Sequence, residues 1–186
     1  MKGTIPRCLQ DYVSSHHGEG VWRTVCVEAD VDPDTRFAPQ SRFDDTMVYR
    51  LISATTSVLG VTLEEAARAF GRHWAHVYAA RLYPVAYEEN RDLVSFIFSV
   101  NDLHRRVIED TAASPPFLDL SWESPTRLLI GYRSDRHLIA VAKGLLEGYA
   151  AHFEEDVDVN ILSASRLELV FPHPSPAFVR PWNSQR

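Results

Sequence analysis

Pro115-Pro116 divides this chain of 186 residues into two textures. Two adjacent prolines cannot continue a helix, because each lacks an amide donor and clashes with the turn before it. Ahead of them, apolar residues recur every three or four positions, the period of helices with one buried face. Beyond them, short apolar runs are separated by turn residues, the pattern of strands. The division predicts an α+β fold: a helical N-terminal part of about 110 residues, then an antiparallel sheet with one inserted helix.

Residues 2–28 read as helical, with one stripe of Cys8, Leu9, Tyr12 and Val13 and a second of Val21, Trp22, Val25 and Cys26. His17-Gly18-Glu19-Gly20 interrupts them. Residues 30–43, with Pro33 and Pro39, read as loop. Asp44 or Asp45 is placed to cap the next helix, which carries Val48, Leu51, Ile52, Thr55 and Leu59 and stops at Gly60. Thr62 and Glu65 have the spacing of a capping box. Their helix runs through Ala66, Phe70, Trp74, Val77 and Tyr78 and ends before Pro84. A long helix is predicted from near Glu88, its buried stripe being Leu93, Phe96, Ile97, Val100, His104 and Val107. Past the prolines, Phe117–Trp122 and Thr126–Tyr132 read as strands joined by Glu123-Ser124-Pro125. Leu138, Val141, Leu145, Tyr149 and Phe153 mark an amphipathic helix, and Asp156–Ile161 with Arg166–Phe171 a closing hairpin. The proline-rich tail 172–186 is expected to pack loosely or dock elsewhere.

A hydrophobic content of 45% is enough to build a core, and a net charge of −6 without a basic stripe argues against a nucleic-acid partner. No apolar run has the roughly 18 residues that span a bilayer, so no membrane partner is expected. Met1–Arg7 lacks the apolar stretch of a signal peptide, which makes cytoplasm the expected compartment. Cys8 and Cys26 form no CxxC pair and read as reduced packing residues.

Two features carry chemistry. His104 shares the apolar stripe of the long helix, so its imidazole is expected to point inward. It is either a core histidine bonded to a backbone carbonyl or an axial ligand to an iron cofactor in an apolar cavity. Tyr132, Ser134 and Arg136 alternate along a segment read as extended, which puts phenol, hydroxyl and guanidinium on one side. They are either ordinary residues at a strand end or anchors for a ligand bearing carboxylates, which arginine binds with charge-assisted geometry. Haem needs both an axial ligand in an apolar slot and polar anchors for two propionates.

The chain resembles the H-NOX family, the haem nitric-oxide/oxygen-binding domains that include the haem domain of the soluble guanylate cyclase β subunit. The resemblance runs from Met1-Lys2-Gly3-Thr4-Ile5 through Ala69-Phe70-Gly71-Arg72 and Asn101-Asp102-Leu103-His104. Pro115-Pro116, Tyr132-x-Ser134-x-Arg136 and Gly144-Leu145-Leu146-Glu147-Gly148 follow in the same order, to about Phe171. It implies one sensor domain over 1–171, with a helical lobe of about 1–60 and a haem-bearing lobe of about 61–171, and haem b between them. It implies His104 as the proximal metal ligand, Tyr132, Ser134 and Arg136 as propionate anchors, and Pro116 pressing on the haem. Ile5 and Leu145 then line the pocket, Trp74 and Tyr78 lie on its distal side, and Asp45 contacts Arg136 across the lobes.

Oxygen-binding members place a tyrosine five residues after the motif arginine. Val141 stands there and has no donor to offer. The expectation is a non-enzymatic sensor of nitric oxide (with carbon monoxide a possible second ligand) that discriminates against oxygen. Tyr78 or Trp74 as a replacement donor would instead make it an oxygen binder. No kinase, cyclase or methyl-accepting segment follows, so the output is expected on a separate histidine kinase or cyclic-di-nucleotide enzyme. With no cysteine after Cys26, no structural zinc site is expected. Two rivals remain: a non-haem module for another apolar carboxylate, and a metalloenzyme using His73 and His76 with Glu88, Glu89 or Asp92. His73 and His76 are otherwise expected to face solvent.

Overall fold

A computed structural model describes residues 1–107 and 115–178. The helical part opens with α1 (Thr4–His17), α2 (Glu19–Glu28) and α3 (Asp45–Leu59) around one core that includes Val13, Trp22, Val25 and Leu51. Asp44 caps α3 by accepting from the amides of Thr46, at 2.6 Å, and Met47, and its carboxyl is thereby held below the usual range. Gly60, with φ of 65°, ends α3 in the left-handed region. Both halves of the Thr62–Glu65 capping box are made and start α4 (Leu63–His73). Cys8 and Cys26 are buried and unpaired, and burial pushes the Cys26 thiol up to about 11.

Two helical expectations need correction. The helix through Tyr78 is not regular: a π-helical turn, Trp74–Tyr78, separates α4 from the short α5 (Ala79–Leu82). The helix expected from near Glu88 starts only at Leu93, as α7 (Leu93–Val107), and a separate short helix, α6 (Pro84–Glu88), precedes it. The break arises because carboxylates claim the first amides of α7. Asp92 accepts from the Ser95 amide at 2.7 Å, and Glu155 accepts from the Leu93 amide at 2.8 Å.

The sheet is antiparallel in the order β1-β2-β4-β3, formed by Phe117–Ser124, Arg127–Arg133, Arg166–Val170 and Asp158–Ser163 respectively. Helix α8 (Ile139–His152) packs Ala142, Leu146 and Ala150 into a core with Leu128, Ile130, Leu167 and Leu169 of the sheet. It also meets α4 through Gly144 and Gly148. A Cβ on these glycines would fall 2.0 Å from the Arg68 carbonyl oxygen and 2.6 Å from that of Arg72. The helix is therefore covered by both the sheet and α4, and the expected stripe shifts: Leu138, at its start, stays 45% exposed.

From α7, Leu93, Val94 and Ile97 join the sheet core, while Phe96 and Val100 pack with Tyr87 and Ala79. The described part of the tail docks rather than trails. Ser175 donates its amide to the Pro125 carbonyl at 2.8 Å, and the Phe178 ring meets Trp122 edge-on at 5.7 Å. The Val107 side chain and residues 179–186 lie outside the described part. Among the described residues no single helix is long and apolar enough to cross a membrane.

Candidate functional site

His104 projects from the last described turns of α7 and is half-buried. Its Nδ1 is buried without a hydrogen-bond partner among the described residues. Burial pushes the imidazole pKa down, and the nearby Pro116 carbonyl offsets this only in part. The ring is thus neutral near pH 7, the form in which imidazole coordinates a metal. Asn101, one turn earlier, fixes this stretch of helix to the edge strand. Its Nδ2 donates to the Leu118 carbonyl at 2.7 Å, and its Oδ1 accepts from the Leu118 amide at 2.9 Å. That pair of hydrogen bonds explains why Pro116, two residues before Leu118, lies beside His104.

Strand β2 ends at Arg133, so only part of the motif is extended. Tyr132 is buried in the sheet core, 5% exposed, opposite Leu118 on β1. The Arg136 amide donates to Ser134 Oγ at 3.2 Å, which bends the chain into a turn. Strict alternation therefore fails at Arg136, whose side chain is exposed. Its expected contact with Asp45 is absent too: Asp45 pairs with the N-terminal ammonium of Met1.

Gly71 brings α8 against α4. A Cβ there would lie 2.3 Å from the Val141 carbonyl oxygen and 2.9 Å from the Leu145 amide nitrogen. Val141 and Leu145 thus sit beside the turn that leads to Trp74. The Trp74 and Tyr78 rings are tilted against each other at 5.3 Å, and both are half-buried. Burial raises the Tyr78 pKa, with a further contribution from the nearby Cys8 of α1. Ile5, on the same helix one turn before Cys8, is half-buried.

His73 does not face solvent. It is 5% exposed, and its Nε2 lies 2.7 Å from Asp11 Oδ2. Arg81 donates to the same oxygen at 3.0 Å. Burial keeps the His73 pKa low despite that carboxylate. Its partner is thus an aspartate 62 residues away rather than Glu88, Glu89 or Asp92. The pairing was invisible in the sequence, because no local spacing links Asp11 to His73. Asn101 lies three residues before His104, and a carboxamide on a largely apolar helix is the sequence sign of its role.

The residues present fit a haem. A neutral imidazole carries a buried nitrogen that no described residue satisfies, a costly arrangement for a histidine that serves packing alone. A tyrosine, a serine and an exposed arginine follow one another on the chain that leaves β2.

An α+β domain with a half-buried, neutral histidine at the helix–sheet junction is the class that this fold and site define. Residues 2–161 match the family described as Haem-NO-binding, and the chain belongs to that family. Solved structures share the fold. A variant of Cs H-NOX superposes with a TM-score of 0.84 at 22% identity, over 94% of this chain and 98% of that one. An oxygen-binding H-NOX domain related to soluble guanylate cyclases, solved as its oxygen complex, gives 0.80 at 22% identity, over 97% and 100%. An H-NOX protein from S. oneidensis in the Fe(II)NO ligation state gives 0.78 at 20% identity, over 91% and 97%.

Proposed function

We propose that the protein is a haem-based sensor that binds nitric oxide, discriminates against oxygen and performs no catalysis. His104 is the proximal ligand to haem b, Tyr132, Ser134 and Arg136 hold the propionates, and Pro116 presses on the macrocycle. Ile5, Trp74, Tyr78, Val141 and Leu145 line the pocket. The observation that carries this reading is the half-buried, neutral imidazole of His104, whose buried Nδ1 has no hydrogen-bond partner among the described residues.

Haem held by His104 would supply an iron able to take a gas. The chain does the rest. Burial keeps His104 unprotonated, so no proton competes for its ring nitrogen. Asn101 sets the height of that ring by fixing α7 to β1. Val141 presents only methyl groups, so it gives no stabilisation to a ligand with partial negative charge. Loosening at His104 frees α7 to shift against β1, a two-state element that a separate histidine kinase or cyclic-di-nucleotide enzyme reads.

The absorption spectrum of the purified, reduced protein tests the reading. A Soret band that changes on addition of nitric oxide and not in air is expected; a colourless protein contradicts it. A second reading, oxygen binding through Tyr78 or Trp74, is favoured by the closeness of those two donor-bearing rings. A stable oxygen-dependent spectrum that Tyr78→Phe abolishes would select it.

A further inference from the structure

The π-helical turn Trp74–Tyr78 is held open by side chains from elsewhere in the fold. In an α-helix the Ala79 amide would donate to Ala75. Here it donates to the Trp74 carbonyl, one residue further back. The Ala75 carbonyl accepts instead from the Tyr87 hydroxyl at 2.6 Å. The neighbouring carbonyls have side-chain partners as well. That of His76 faces the His152 imidazole, and that of Val77 accepts from Arg81 Nε at 3.2 Å. Arg81 then reaches Asp11 on α1, which also holds His73, so both ends of the wide turn are tied to one carboxylate.

Tyr87 is fixed for this task. It is 5% exposed, and its ring packs on Phe96 of α7 at 4.7 Å and on His152 at 4.6 Å. Burial drives its pKa far up, so the hydroxyl keeps its proton and stays a donor. Wide turns inside α-helices are frequent at functional sites, because they re-aim the side chains they carry. Removing one would rotate the helix on one side of it by about 100°, the angle of one residue.

We propose that Tyr87 is a positioning residue: by taking the Ala75 carbonyl it holds this turn wide and fixes where Trp74 and Tyr78 stand. The part of this inference that concerns a bound gas rests on the haem reading above; the part that concerns the turn does not. Tyr87 acts through the two rings.

Tyr87→Phe in the full chain keeps the ring and removes only the donor. The freed Ala75 carbonyl then competes with Trp74 for the Ala79 amide, and interchange between the two bonds is expected to accelerate its exchange, which needs no cofactor, about five- to thirty-fold, the effect of a buried bond worth one or two kcal/mol. Exchange at Leu51 in α3 stays unchanged. Arg81→Ala, at an exposed position, opens the same turn from the other side and is expected to accelerate the same amide; it decides the matter if Tyr87→Phe does not fold. In the haem-loaded protein with carbon monoxide, Tyr78→Phe is expected to shift the C–O stretch in the native background and not in the Tyr87→Phe background. Unchanged Ala79 exchange in the folded variants overturns the inference, as does an equal Tyr78→Phe shift in both backgrounds. A chain that takes up no haem, yet shows the faster Ala79 exchange, supports the turn-holding role and refutes the gas-sensing reading.

Discussion

Gly144→Ala separates two opposed expectations. On helix propensity alone, alanine inside α8 gains up to about 1 kcal/mol over glycine. The packing says otherwise. The added Cβ would fall 2.0 Å from the Arg68 carbonyl oxygen and 2.8 Å from its carbon, whereas ordinary contact begins at 3.4 Å. The obstacle is backbone, so no side chain can swing aside. Helices α4 and α8 must part by about 1.4 Å at this point. Overpacking of this kind costs about 1–3 kcal/mol, occasionally more. With a backbone clash at the upper end, the net loss after the propensity gain is about 2 kcal/mol. For a chain of this size that lowers the melting temperature by roughly 4–8 °C. Urea unfolding followed by circular dichroism measures it, and an unchanged slope would confirm that only the native state was altered. Equal or greater stability in Gly144→Ala would refute the close-crossing account. It would also remove the reason for placing Val141 and Leu145 beside the start of the Trp74 turn.

The pH dependence of stability follows from the histidines. Burial depresses the pKa values of His73, His104 and His152 below the ordinary 6.5. Protons therefore bind the unfolded chain more readily, and stability should fall from about pH 7 to about pH 5, as those residues protonate on unfolding. The depressed carboxyls of Asp44 and Glu65 act lower, near pH 4, and do not account for a loss in that window. Denaturant midpoints at fixed ionic strength check this, and a flat profile speaks against the buried neutral rings. Arg136→Ala should speed haem transfer to a scavenging apoprotein about tenfold or more, since a charge-assisted bond is worth about 1.5–3 kcal/mol; an equal rate removes the propionate assignment. Val141→Tyr should raise oxygen affinity by a similar factor through one added donor, measured by oxygen titration of the ferrous protein; no change would place residue 141 away from the gas.

Local chemistry was legible in the sequence wherever its partners were near. Asp44, Gly60 and the Thr62–Glu65 box mark helix ends with side chains three residues apart or fewer, and the structure uses each of them. The strand pairs followed from short apolar runs set between turn residues, and the change of texture at Pro115-Pro116 separated helices from sheet. What stayed hidden depends on long-range partners. The π-turn needs Tyr87, Arg81 and Asp11, and a single-helix periodicity cannot register them. His73 is buried because Asp11 accepts it from another helix. The end of α6 and the start of α7 depend on Glu155, which arrives after α8. At the site, the inward aim of His104 followed from its stripe. The turn at Arg136 did not, because Ser134 Oγ captures a backbone amide that an extended reading assigned elsewhere.

The central claim is that the His104 imidazole holds an iron porphyrin. Haem titration of the full chain and of His104→Gly, with and without added imidazole, tests it most directly. The account predicts a sharp Soret band for the native chain. It predicts loss or displacement of that band in the variant, and its return when imidazole fills the space. An identical spectrum in the variant, or a native chain that binds no haem, would contradict it.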